Sequence, residues 1–138
     1  MGFSLNDVVR NARMQAVADA INSGTGPATI EIYDGVRPAT KGGAITDQVL
    51  LATVLFADPC TTTPIADGAL TFDAFSPATA VAGGSATWGR IKNADGMFIA
   101  DIDVSEVAGG GQLVLNATSI VLNATVEVTA GSILDGNV

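Results

Sequence analysis

The chain has 138 residues, a formal net charge of −8 and no histidine. That length suits one domain able to bury a core without disulfides or metal, and its single cysteine, Cys60, leaves no intrachain disulfide to form. The acidic balance argues against nucleic acid and anionic membrane surfaces, both of which call for a basic face.

The N-terminal segment from Ser4 to about Asn22 has the pattern of the one long helix. Ser4 can cap it, with Asp7 three residues on. Leu5, Val8, Val9, Ala12, Ala16, Val17, Ala20 and Ile21 recur near the helical period, which predicts the buried stripe. Ser23-Gly24 and Gly26-Pro27 stop it. Such an Ala-rich stripe packs closely, on the chain's own sheet by preference or, as an arm, on a neighbouring subunit. The charged residues Asp7, Arg10 and Arg13 also break any signal-peptide pattern, so synthesis in a cytoplasm is expected.

After Pro27 the pattern becomes strand-like. Thr29 to Tyr33 alternates, with Ile30 and Ile32 on one face. Gly35 to Ile45 is a loop, broken by Pro38 and Gly42-Gly43. Val49 to Ala57 is apolar on both faces, predicting a strand buried on both sides, with a helix as the other option. It is far shorter than the roughly 20 residues that span a bilayer. Asp58 to Asp67 is turn-rich. Ala69 to Phe75 sets Leu70, Phe72 and Ala74 against Thr71, Asp73 and Phe75.

Ser85 to Val104 predicts a hairpin around Asn93-Ala94-Asp95-Gly96, and two registers compete. A two-residue Asp95-Gly96 turn pairs Ala94 with Met97, setting Arg90 opposite Asp101 and Trp88 opposite Asp103. A type I turn with a G1 bulge pairs Asn93 with Met97 and brings Trp88 onto the face of Ala100 and Ile102. Turn chemistry favours the bulge, and segregation of the faces favours the tight turn; the bulge is preferred. Gly109-Gly110-Gly111 then acts as a hinge before a strand-rich region from Leu113 to Leu134. Leu115-Asn116-Ala117-Thr118 recurs as Leu122-Asn123-Ala124-Thr125, read as two similar strand ends. Four Asp-Gly pairs, at 34–35, 67–68, 95–96 and 135–136, mark turns.

The expected fold is mainly β: an antiparallel β-sandwich, jelly-roll or Ig-like, of about seven or eight strands with one N-terminal helix. Residues 1–26 form the helix or arm and 27–138 the sandwich, one domain overall.

No catalytic chemistry is expected. Without histidine, the Ser-His and Cys-His systems are excluded. Cys60 has no nearby base to activate it. Asp101 and Asp103 share a strand face, and with Asp95 and Glu106 make the densest acidic patch, yet calcium-loop spacing is missing and a solvated face is the better reading. No catalytic, cofactor-binding or metal-binding residue is assigned, and no cofactor is expected. Trp88, Arg90, Asp101 and Asp103 are the candidate interaction surface. With charged residues at only 14%, a sparsely charged surface favours association.

Three segments together carry a resemblance: Arg13 to Ile21, Ile32 to Thr40, and Ala86-Thr87-Trp88 with Arg90 before the Asp-Gly turn. They resemble small virion structural proteins of tailed bacteriophages, although Gly89 stands where related strands often carry an aromatic. The resemblance implies a non-enzymatic capsid decoration or cement protein, synthesised in the bacterial host cytoplasm and located in the virion. It would associate with itself, as a trimer or other homo-oligomer, and with the major capsid protein or another virion protein. The alternatives are a tail or baseplate component and a virion-surface carbohydrate-binding module that stacks sugars on Trp88.

Overall fold

A computed structural model describes residues 5–106 and 112–135. The fold is mainly β with one helix, α1 (Asp7–Ile21). The strands are β1 (Thr29–Tyr33), β2 (Leu50–Leu55), β3 (Ala69–Thr71), β4 (Ala78–Thr79), β5 (Gly84–Ser85), β6 (Trp88–Lys92), β7 (Phe98–Glu106), β8 (Leu113–Leu115), β9 (Ser119–Ile120), β10 (Thr125–Val126) and β11 (Val128–Leu134). Seven of them form one sheet in the order β2-β1-β6-β7-β8-β11-β3, and β10-β4 and β5-β9 are two-stranded. The expected antiparallel arrangement holds except at one junction: β8 runs parallel to β7, so the large sheet is mixed.

The helix begins later than its apolar pattern suggested, and it buries a different face. Asn6 is the N-cap, its Oδ1 accepting the Val8 N–H at 2.8 Å; Ser4 lies outside the described residues. Met14, Ala18 and Ile21 enter the core, whereas Val8 and Val9 face solvent. Polar anchors explain the rotation. Asn11 Oδ1 accepts the Gly68 N–H, Arg10 donates to the Asp135 carbonyl, and Asn22 Oδ1 accepts the Cys60 N–H. These bonds set the helix on its own chain with the Met14 side inward, and the shared core includes Ile30, Ile32, Leu70, Ile91 and Ile102.

The expected two-sided burial of β2 is partial. Leu51, Ala52 and Val54 are buried, but Thr53 and Leu55 are exposed. β2 is an edge of the large sheet, flanked by the 76–81 segment, where Ser76 and Val81 N–H groups donate to the Leu55 and Leu51 carbonyls. On the next segment Leu70 and Phe72 are buried as expected, while Ala74 is exposed. The two Leu-Asn-Ala-Thr copies also differ. Leu115 is buried and the Asn116 side chain bridges to Thr125 and Glu127, but Leu122 is exposed on a turn closed by the Ala124 N–H on the Val121 carbonyl.

The hairpin uses both registers in succession. At the turn, the Asn93 N–H donates to the Met97 carbonyl and Gly96 has φ of +83°, as the G1 bulge requires. Lys92 then pairs with Phe98, but Ile91 pairs with Ala100, so Ile99 is a second extra residue. That bulge shifts the ladder by one, and Arg90 falls opposite Asp101 and Trp88 opposite Asp103. The preferred reading is right at the turn and wrong along the strands, because each bulge inverts the side-chain alternation beyond it.

Candidate functional site

On β1 and β6, Ile30, Ile32, Gly89 and Ile91 belong to the core side. Glu31, Tyr33, Trp88, Arg90 and Lys92 therefore share the opposite side. Gly89 is dictated by this packing: a Cβ there would lie 3.1 Å from Ile30 Cδ1 and Cγ1, so an aromatic has no room.

The outer side is not a solvated surface. Cross-strand partners Tyr33 and Trp88 stack with centroids 4.7 Å apart and planes 14° from parallel. Arg90 makes a two-pronged pair with Asp101, Nε to Oδ1 at 2.8 Å and Nη2 to Oδ2 at 3.1 Å. Its guanidinium carbon lies 5.4 Å from the Trp88 ring centre and 5.2 Å from that of Phe98, within cation–π range. Lys92 bridges to Glu31 at 3.0 Å, and the Tyr33 hydroxyl donates to the same carboxylate oxygen at 3.1 Å.

The loop expected at Gly35 to Ile45 folds back over this cluster. The Trp88 indole N–H donates to the Asp34 carbonyl, Thr87 Oγ1 to the Gly35 carbonyl at 2.6 Å, and Arg90 Nη1 to the Gly43 carbonyl at 2.9 Å. Gly42 rests against the Phe98 ring, which a Cβ would approach to 3.1 Å. The loop leaves the Arg90 and Asp101 side chains only 7% and 8% exposed.

Of the four residues read as a candidate interaction surface, Trp88, Arg90 and Asp101 come together but are buried, so they face the loop and one another rather than a ligand. Trp88 takes the pairing of the tight-turn reading, opposite Asp103 and on the side away from Ile102, yet it is buried. Asp103 stands apart and exposed, 3.7 Å from Arg37. Tyr33, Glu31 and Phe98 complete the cluster without having been singled out. Tyr33 and Glu31 were legible as the alternate face to Ile30 and Ile32; the covering loop was not.

Electrostatics follow from this burial. The hydrogen bonds that Arg90 donates to Asp101 raise its pKa above the usual guanidinium value. Burial, followed by repulsion from Glu31, pushes the Tyr33 phenol up to about 12. Removing one partner of a buried ion pair costs about 3–5 kcal/mol, because it leaves the other charge uncompensated, so the Arg90–Asp101 pair acts as a clamp. The acidic patch around it breaks up: Asp101 is held by Arg90, Asp103 lies beside Arg37, and Glu106 accepts the Thr118 N–H and hydroxyl, which lowers its pKa. Among the described residues no group of three Cys, Asp or Glu side chains is placed to hold a metal ion. Cys60 is wholly buried rather than an ordinary loop residue, and burial pushes its thiol up to about 11, away from the reactive thiolate.

A different part of the surface has the composition of a contact. Residues 74–89 and 112–126 contain no charged side chain. They are joined to each other by the two small sheets, β4 with β10 and β5 with β9. Val81, Val121 and Leu122 are exposed there. The Ala80 N–H donates to the Ala124 carbonyl and the Asn123 N–H to the Ala80 carbonyl, so the turns carrying these three residues are neighbours.

No protein-family model, curated protein or solved structure matches the chain. No helix among the described residues is long and apolar enough to cross a membrane.

Proposed function

We propose that this chain is a non-enzymatic structural component of a tailed-phage virion, a capsid decoration or cement protein that associates with its own copies and binds the capsid lattice. The observation that carries this reading is the uncharged lobe formed by residues 74–89 and 112–126, with Val81, Val121 and Leu122 exposed on adjoining turns. Interface centres are depleted of charge, and exposed aliphatic side chains gathered in one place mark association surfaces. The virion setting comes from the sequence resemblance. The sandwich form of the fold, jelly-roll or Ig-like, belongs to the same proposal and draws support from Ile120 and Val126 of the small sheets and Ala80 next to β4, which share a core with the large sheet. The glycan-binding alternative has less support, because the Trp88 face is occupied by Tyr33 and the overlying loop.

Purified particles analysed by quantitative mass spectrometry are expected to contain this chain at a fixed copy number. The isolated chain is expected to form a defined oligomer by light scattering, and Leu122→Asp to reduce both oligomer and particle occupancy. A monomer that is absent from particles would overturn the proposal.

A further inference from the structure

Asp-Gly pairs are reactive as well as turn-forming. Gly, lacking a Cβ, leaves its own backbone nitrogen unshielded, and that nitrogen can close on the preceding Asp carboxyl as a five-membered ring. Ring closure needs a carboxyl free of other bonds and a backbone able to rotate until the nitrogen meets Cγ. The four pairs of this chain differ in both respects. Three are held by distant residues. Asp34 Oδ1 accepts the Val49 N–H at 2.8 Å, and the Asp34 carbonyl accepts the Trp88 indole N–H. In the second pair, the Gly68 N–H is donated to Asn11 Oδ1 at 2.8 Å and Gly68 packs against Arg10. Asp135 has a side chain only 3% exposed, 3.2 Å from Arg13, while its N–H donates to the Gly68 carbonyl and its carbonyl accepts from Arg10. Moving any of these backbones breaks contacts with another element.

The remaining pair stands at the tip of the β6–β7 hairpin. Asp95 and Gly96 are both exposed. Among the described residues, no hydrogen bond or ion pair reaches the Asp95 carboxylate; the one bond its residue makes is from its own N–H to Asn93 Oδ1. The carboxylate rests beside the bare backbone of Gly24, where a Cβ would come to 3.1 Å from Asp95 Cγ and Oδ1. Around Gly96 there is open space, since a Cβ there would meet nothing within 4 Å. The Gly96 N–H is bound inside the turn itself, to the Asn93 carbonyl at 2.9 Å. Opening an exposed turn costs far less than opening a segment tied to distant elements, so this pair reaches the reactive geometry most often.

We propose that Asp95 is a self-modification site, at which the folded chain converts aspartate to isoaspartate ahead of its other Asp-Gly pairs. The Gly96 nitrogen attacks the protonated Asp95 carboxyl. The N–Cγ bond forms, the Cγ–OH bond breaks, and the hydroxyl leaves as water with the amide proton. A second water then adds to the α-carbonyl of the succinimide and breaks the original peptide C–N bond. The chain now runs through Cβ and Cγ, the freed α-carboxylate carries the charge, and the mass is unchanged. Water is the only co-reactant. The added main-chain atom falls inside the loop that Asn93 Oδ1 closes with the Asp95 and Met97 N–H groups, at 3.1 and 2.9 Å, and so lengthens it.

The full-length folded chain is aged for several weeks at mildly acidic pH and physiological temperature, beside a sample unfolded in urea. The linkage at each Asp-Gly pair is read by mass spectrometry with electron-transfer fragmentation, which separates aspartate from isoaspartate. In urea all four pairs are expected to react at similar rates. In the folded chain, isoaspartate at Asp95 is expected to exceed that at Asp34, Asp67 and Asp135 by about tenfold or more, because only its turn opens locally. Asp95→Glu keeps the charge but cannot close a five-membered ring, and is expected to remove the folded-state product. Equal yields at the four pairs of the folded chain, an earlier product at another pair, or an unmodified Asp95 in the folded chain would overturn the proposal. None of these results depends on the uncharged lobe or on particle occupancy.

Discussion

Arg90 and Tyr33 show how a strand's outward face can become an interior. Both alternate with core residues, and in a bare sheet both would be solvated. The loop from Asp34 to Gly43 seals them in, with backbone carbonyls meeting the Trp88, Thr87 and Arg90 donors. Burial under the loop, then repulsion from Glu31 and the bond to it, favour the neutral phenol. Because the folded pKa of about 12 lies above the ordinary value of 10.0, the associated stability is complete below pH 10 and is lost as pH rises through 12. A rise of that size corresponds to at most roughly 2–3 kcal/mol. Alkaline unfolding monitored by Trp88 fluorescence is expected to show this loss between pH 10 and 12, and Tyr33→Phe to remove most of it. An unchanged profile in Tyr33→Phe would mean that Tyr33 does not drive the step.

At the level of elements, local chemistry was read well and orientation poorly. The Asp67-Gly68 turn is a clear example, while Gly136 of the fourth expected pair lies outside the described residues. Asp67 and Gly68 have φ of +53° and +71°, and the Ala69 N–H returns to the Ala66 carbonyl, a two-residue turn with positive φ at both centres. Gly68 is required twice over, since a Cβ would stand 2.8 Å from Arg10 Nε and Nη2. Gly68→Ala is therefore expected to cost about 1–3 kcal/mol in urea unfolding, through backbone strain and the displaced Arg10. A cost below a few tenths would show that the turn relaxes freely. The helix and the hairpin failed in orientation for related reasons. Helix rotation was decided by Asn11, Arg10 and Asn22 bonding to distant backbone, which an apolar period does not register. Hairpin register was decided by a second bulge at Ile99, where no Gly or Pro signals it.

Over the whole molecule, charge is segregated. The lobe built from residues 74–89 and 112–126 has none, so the net −8 resides elsewhere. At neutral pH that charge opposes close approach of copies, while the lobe favours it. As pH falls toward the pI of about 4.1, repulsion vanishes and the apolar contacts remain. Light scattering between pH 7 and 3 is expected to show association rising to a maximum near pH 4, with Leu122→Asp blunting the rise. Association that is greatest at neutral pH would contradict this balance. The absence of charge from both segments was legible from the residues alone. Their joining into one lobe was not, because β4–β10 and β5–β9 pair residues some forty positions apart.

Composition and local pattern by themselves determined the strand-rich class, the helix, the turns at Asp67-Gly68 and Asp95-Gly96 and the position of the covering loop. Each follows from properties of neighbouring residues: alternation, capping and positive φ. Tertiary structure alone decided which helix face is buried, that β8 runs parallel to the last third of β7, and that Trp88, Arg90 and Asp101 are enclosed. Those outcomes rest on hydrogen bonds and ion pairs between residues distant in the chain, whose partners no local window contains.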